Sequence, residues 1–222
     1  MAEELQGKRV AILVADGFEQ IELTGPRQAL DQAGARTEIV SPSSGQVQGW
    51  NHDEKADRFP VDVPLAQASA QNYDALLLPG GVQNPDYLRT MPEAVRFVHD
   101  FFTQNKPVAA ICHGPWTLVE AGVLRGRTLT SWPSLQTDIR NAGGTWIDRE
   151  VVVDNGLITS RKPDDIPAFN ARVIEEFREG FHAQSQGGTA GVRASRAERI
   201  ADIADLDTED EHAVLATSGT PT

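Results

Sequence analysis

The chain's single cysteine, Cys112, stands immediately before His113 in the segment KPVAAICHGPWTLVEAG, Lys106 to Gly122. The apolar run Val108–Ile111 leads straight into it, and Gly114-Pro115 then opens a helical pattern. Thiolate is the nucleophilic form of cysteine, so the chemistry offered here is attack on an electrophilic carbon. A strand that ends in such a residue and turns at once into a helix is an elbow, which thrusts the side chain outward on a tight turn. Gly114 permits close chain approach. The positive end of the following helix favours thiolate, which sets the expectation of a pKa below the free value of about 8.5. A lone cysteine after an apolar strand also reads as a small buried hydrophobe. The company it keeps favours the nucleophile.

That company is two further loops. Gly80-Gly81 closes the run YDALLLPGG and can expose backbone N–H groups. With the N–H of His113 these would form an oxyanion hole at Gly81 and His113. Glu19 follows the first apolar run. Facing a thiolate, its carboxyl would be pushed towards protonation by burial and like charge, and could then donate a hydrogen bond to sulfur. His113 would serve as the base, given an acceptor for its second nitrogen. Adjacent residues on an elbow need not face each other, and Glu19 reads equally as a surface or helix-capping acid.

The elements that must hold these residues follow from pattern. RVAILV, RTEIVS, YDALLLPGG, PVAAIC and RTLTSW read as strands. Between them lie helical segments: one after Glu19, interrupted near Gly25-Pro26, one starting at Pro92, one after Pro115, and a last one led by Pro163. Gly45 to Pro60 reads as a hairpin, and Asn155-Gly156 as the turn of another. Strands alternating with helices give a doubly wound, mostly parallel α/β sheet with helices on both faces. Sites in such sheets lie beyond the strands' carboxyl ends, where all three loops fall. Residues 1–182 would form this domain. Residues 183–222, rich in Ala, Gly, Ser, Thr and acid and without an aromatic, read as a disordered or weakly helical tail.

Formal net charge is −12, which disfavours nucleic acid and anionic lipid as partners. One cysteine cannot form an internal disulfide, and no membrane span or signal peptide is visible, which points to a soluble cytoplasmic protein. The five histidines are scattered and no phosphate-binding glycine loop occurs, so neither metal nor cofactor is expected. Trp50, Trp116, Trp132 and Trp146 read as core or pocket walls.

AILVADGFEQIEL, YDALLLPGG, KPVAAICHGPW, AGVLRGRTLTSWPSLQTDIRNAGGTW and EVVVDNGLITSRKPDDIPAFN occur in this order from about Lys8 to Phe181. Together they resemble the PfpI-type intracellular protease and general stress protein family. That family lies in the superfamily of the parkinsonism-associated deglycase, with the class I glutamine amidotransferase-like fold. The resemblance implies a flavodoxin-like sandwich with Cys112 as nucleophile and His113 as its partner. Glu19 would be the acid on the thiol, and Gly81 with His113 the oxyanion hole. It also implies a triad acid from a neighbouring subunit shortly after the glycine pair. Here PGGVQNPDYLR offers Asp86, an Asp where Glu is expected. Homodimers or larger homo-oligomers are implied, as are stress-linked activities on small aldehydes, glycated proteins or peptides, all begun by a thiolate. A redox sensor or chaperone with an oxidisable cysteine is the non-catalytic alternative. A glutamine amidotransferase is disfavoured, because no His-x-Glu pair follows Cys112 late in the domain.

Overall fold

The structure, a computed structural model, describes residues 4–180. The tail expected from 183 onward lies outside them. In the first half of the chain, β1 (Arg9–Leu13), β2 (Phe18–Glu19) and α1 (Gln20–Gln32) lead to β3 (Arg36–Ser41). β4 (Gln46–Asn51), β5 (Glu54–Pro60) and β6 (Val63–Pro64) come next, then β7 (Ala75–Leu78), α2 (Gln83–Leu88) and α3 (Pro92–Thr103). The second half holds β8 (Val108–Ile111), α4 (Pro115–Glu120), β9 (Thr128–Leu129), α5 (Gln136–Asn141) and β10 (Thr145–Trp146). β11 (Val151–Asp154), β12 (Leu157–Ser160) and α6 (Ile166–Glu179) complete it.

Seven strands form the main sheet in the order β11-β12-β8-β7-β1-β3-β6. All pairings are parallel except β11 with β12, which the Asn155-Gly156 turn folds back as a hairpin. Its five long parallel strands therefore run in the flavodoxin-like order, second-first-third-fourth-fifth.

Alternation along each strand splits the core in two. Ala11, Leu13, Leu76, Leu78, Val108 and Ala110 face one layer, which α3 and α4 cover with Ala94, Phe97, Phe101 and Leu118. Val10, Ile12, Ala75, Leu77, Ala109 and Ile111 face the other, covered by Leu23 and Leu30 of α1 and Phe169, Val173 and Phe177 of α6. Strands buried on both faces must be apolar throughout, which is why they read as continuous runs.

Two expectations need correction. α1 runs unbroken through Gly25-Pro26, with Pro26 on its buried face. Packing of that face against the sheet outweighs the one backbone hydrogen bond that proline removes. The RTLTSW strand shrinks to β9, which pairs with β10 in a separate two-stranded sheet. The predicted Gly45–Pro60 hairpin is present as β4 and β5, joined to β2 as a three-stranded sheet over the carboxyl ends of the central strands.

Candidate functional site

Cys112 sits one residue beyond β8 with φ of 60°, a left-handed conformation that costs a non-glycine side chain about 1 kcal/mol or more. Three backbone bonds hold it there. Its N–H donates to the Ser160 carbonyl at 3.0 Å, its carbonyl accepts the Trp132 N–H at 2.8 Å, and the Gly114 N–H donates to Ile111 at 2.9 Å. The elbow is thus fastened to the neighbouring strand and to the Trp132 loop, which supplies what its strain takes away.

The acid on the sulfur is Glu22, where Glu19 was expected. Glu22 is fully buried in the first turn of α1, and its Oε2 accepts the Gly80 N–H at 2.8 Å. Side chain to side chain, it meets the Cys112 thiol. Its second oxygen, Oε1, has no other well-aligned partner. A Cβ on Gly80 would stand 2.6 Å from Glu22 Oε2 and 2.8 Å from Cys112 Cβ, so only glycine lets acid and elbow close on each other. Gly81 has φ of 73°, and its N–H and that of His113 both bond towards the sulfur.

Glu19 lies at the rim of the same cleft. Its backbone ends β2 and caps α1 in extended conformation. Oε2 accepts the His52 N–H at 3.0 Å and holds the β4–β5 turn. A signal for Glu22 was present in the sequence: it starts the stripe Glu22, Pro26, Leu30, the i, i+4, i+8 face that α1 buries with Leu23. Asn84 was also missed. Fully buried, it accepts the Ala15 N–H at 2.7 Å and donates to the Pro79 and Gly80 carbonyls, tying the loops after β1 and β7 together.

His113 meets the sulfur through Nδ1 at 3.2 Å. Its Nε2 lies 3.3 Å from Ser134 Oγ, and its ring stacks on Trp132 and tilts against Trp116. Asp86 stands outside the cleft, on the exposed face of α2. Within the chain, the partner of His113's second nitrogen is a hydroxyl, which can either donate or accept.

The electrostatics follow from burial. Burial first, with Glu19's charge as a lesser cause, pushes Glu22 up to about 8, so it is neutral at pH 7. Burial pushes His113 down to about 4, so it is neutral too. The Cys112 thiol is pushed up, first by burial and then by the charge of Glu22. This corrects the expected lowering: the N–H groups of His113 and Gly81 do favour thiolate, but desolvation and a neighbouring carboxylate outweigh them. Cys112 and Glu22 therefore hold charge as a pair. A carboxylate keeps the sulfur protonated, whereas a carboxylic acid removes the repulsion and donates to it. At pH 7 both groups hold their protons and His113 is uncharged.

The cleft measures about 390 Å³ and is walled by Gly17, Trp50, His52, Trp132 and Pro163 above this floor. Among the described residues, no three or more His, Cys, Asp or Glu side chains are grouped to hold a metal, and no helix is long and apolar enough to cross a membrane.

The DJ-1/PfpI family model matches residues 8–176. An uncharacterized protein of Staphylococcus epidermidis is 45% identical over 172 residues, covering 76% of this chain and 97% of that one. The crystal structure of Drosophila melanogaster DJ-1beta, 27% identical, aligns with a TM-score of 0.70 over 80% of this chain and 91% of that one. A protein with DJ-1/ThiJ/PfpI-like and ferritin-like domains from Anabaena variabilis is 32% identical, with a TM-score of 0.72. That alignment covers 82% of this chain but only 52% of the longer protein.

Proposed function

The chain belongs to the DJ-1/PfpI family, and from that premise we propose that it is a cysteine-dependent enzyme acting on reactive carbonyls or glycation adducts. The observation that carries the reading is the Cys112–Glu22 pair, closed over by the N–H groups of Gly81 and His113. With a small 2-oxoaldehyde, the Cys112 thiol gives its proton to solvent water at the open cleft, the thiolate sulfur bonds to the aldehyde carbon and the carbonyl π pair moves onto oxygen. The Glu22 proton passes to that oxygen, which gives a neutral hemithioacetal and a Glu22 carboxylate. The carboxylate then takes the proton from the former aldehyde carbon, the hydroxyl proton passes to the neighbouring carbonyl oxygen, and Glu22 returns its proton to that neighbouring carbon, which leaves the thioester of a 2-hydroxy acid. Water hydrolyses the thioester, which restores the thiol, and the 2-hydroxy acid released gives its proton back to Glu22. Neutral His113 positions the sulfur through Nδ1, and the Ser134 hydroxyl beside Nε2 holds its ring.

The same thiolate would open a glycated amine's hemiaminal, and weak peptide hydrolysis needs no further group. The test is purified protein with methylglyoxal, a glycated amino acid amide and a fluorogenic peptide, beside Cys112→Ser. The expected outcome is lactate formation by the wild type and background rates for the variant. Equal rates for the two proteins sink the reading. A second reading, an oxidisable sensor, has one observation in its favour: a sulfinate at Cys112 would meet the same N–H groups and the Glu22 proton. Addition of two oxygens by intact mass, with no turnover of any of the three substrates, would replace the enzyme reading with this one.

A further inference from the structure

Resting on that reading of the site, we propose that the cleft selects its carbonyl substrates by charge. It admits neutral and amine- or guanidinium-bearing carbonyl compounds and turns away those carrying a carboxylate or phosphate, through Glu19 and Asp53 at its rim.

The described residues lining the cleft include the acidic side chains Glu19, Glu22 and Asp53 and not one Lys or Arg. The nearest arginine in sequence to the lining residue Pro163, Arg161, is engaged by Asp148 and Asp165, and Lys162 by Asp164. A substrate anion would thus find no Lys or Arg to replace its water, and His52, whose Nδ1 lies 4.0 Å from Glu19 Oε2, already stands beside that carboxylate. It would approach two rim carboxylates and a sulfur that must itself become negative. Glu19 is held in place: it is 8% exposed and anchored by the His52 N–H. Asp53 rides on the same turn, two residues from β5's partner strand end at Asn51. At the floor, Glu22 is neutral at pH 7 and brings no positive charge to meet an anion. Trp50 and Trp132 flank the opening with aromatic walls, and cations are attracted to aromatic faces. An amino or guanidino group bearing a carbonyl adduct would find acceptors and π faces on its way to Cys112, whereas a 2-oxo acid would find only repulsion.

Cys112 is the chain's one thiol, so alkylation reads this site alone. Iodoacetamide and iodoacetate are matched in size and differ in charge; in each case sulfur displaces iodide. Their second-order rates, followed by intact mass, are compared in the folded protein and in the same protein in denaturant. The folded protein is expected to prefer the neutral reagent about tenfold more than the unfolded one does. Glu19→Gln, which keeps an oxygen for the His52 N–H, and Asp53→Asn should each cut that excess by about threefold, as should raised salt. A folded-state ratio equal to the unfolded one, or a ratio that the double variant leaves in place, overturns the proposal. Alkylation needs no turnover, so a protein inactive on methylglyoxal still reports on charge selection, and an active protein without the excess refutes this proposal while sparing the enzyme reading.

Discussion

The floor of the cleft and its rim each carry a glutamate, three residues apart, and the two do opposite things. At the floor, Glu22 has no contact with water, meets Gly80 and Cys112, and holds its proton up to about pH 8. At the rim, Glu19 bonds the His52 N–H and secures a turn whose other side is solvent. One helical step separates an acid on the thiol from a brace. The side-chain chemistry is the same, and the depth of burial and the partner each meets set them apart.

The contrast is sharpest in turnover. Glu22→Gln leaves an oxygen for the Gly80 N–H but nothing to carry a proton, so kcat is expected to fall by about 10²–10⁴-fold. Glu19→Gln should change kcat/KM by no more than about fivefold. Steady-state kinetics on methylglyoxal measure both, and equal losses would erase the distinction between floor and rim.

The next effect is on stability. Gly81→Ala would place a Cβ 2.5 Å from the Gly17 carbonyl oxygen at φ of 73°. A loss of about 2–4 kcal/mol is expected, read as a drop in Tm of roughly 10 °C. An unchanged Tm would show that the floor is looser than its contacts imply.

Smaller is a pH slope. Because Glu22's folded pKa lies above its unfolded value, the native state binds the extra proton between about pH 4.5 and 8, and stability falls as pH rises through that window. His113, depressed to about 4, contributes the opposite slope, with stability rising between about pH 4 and 6.5. The window from 6.5 to 8 therefore isolates Glu22. There the wild type should lose about 2 kcal/mol that Glu22→Gln does not, as measured by urea unfolding at the two pH values. Parallel behaviour of the two proteins would place the buried proton elsewhere.

Smallest is Ser134→Ala, which removes the hydroxyl from His113 Nε2. About a fivefold loss in kcat is expected, with KM held, since one hydrogen bond is worth about 1 kcal/mol. A loss as large as that of Glu22→Gln would move His113 from positioning the sulfur to carrying its proton.

Much of this molecule is legible in its residues. Continuous apolar runs can only be strands buried on both faces, which dictates helices on either side and a site at the carboxyl ends of β1, β7 and β8. A cysteine placed between such a run and Gly114-Pro115 has nowhere to go but an elbow, and its φ of 60° follows. Asn155-Gly156 likewise specifies its own hairpin. These features are local: each is set by a few neighbouring residues and their allowed backbone angles. Which glutamate reaches the sulfur, that Ser134 and not Asp86 meets His113 within the chain, and that Asn84 clasps two loops are not local. They depend on where α1 begins, on how far Gly80 lets it approach Cys112, and on which loop folds across the elbow. The direction of the thiol's shift belongs with them. Spacing places the sulfur at a helix start, which argues for a lowered pKa. Only tertiary burial, which strips its water and sets Glu22 beside it, turns that shift upward.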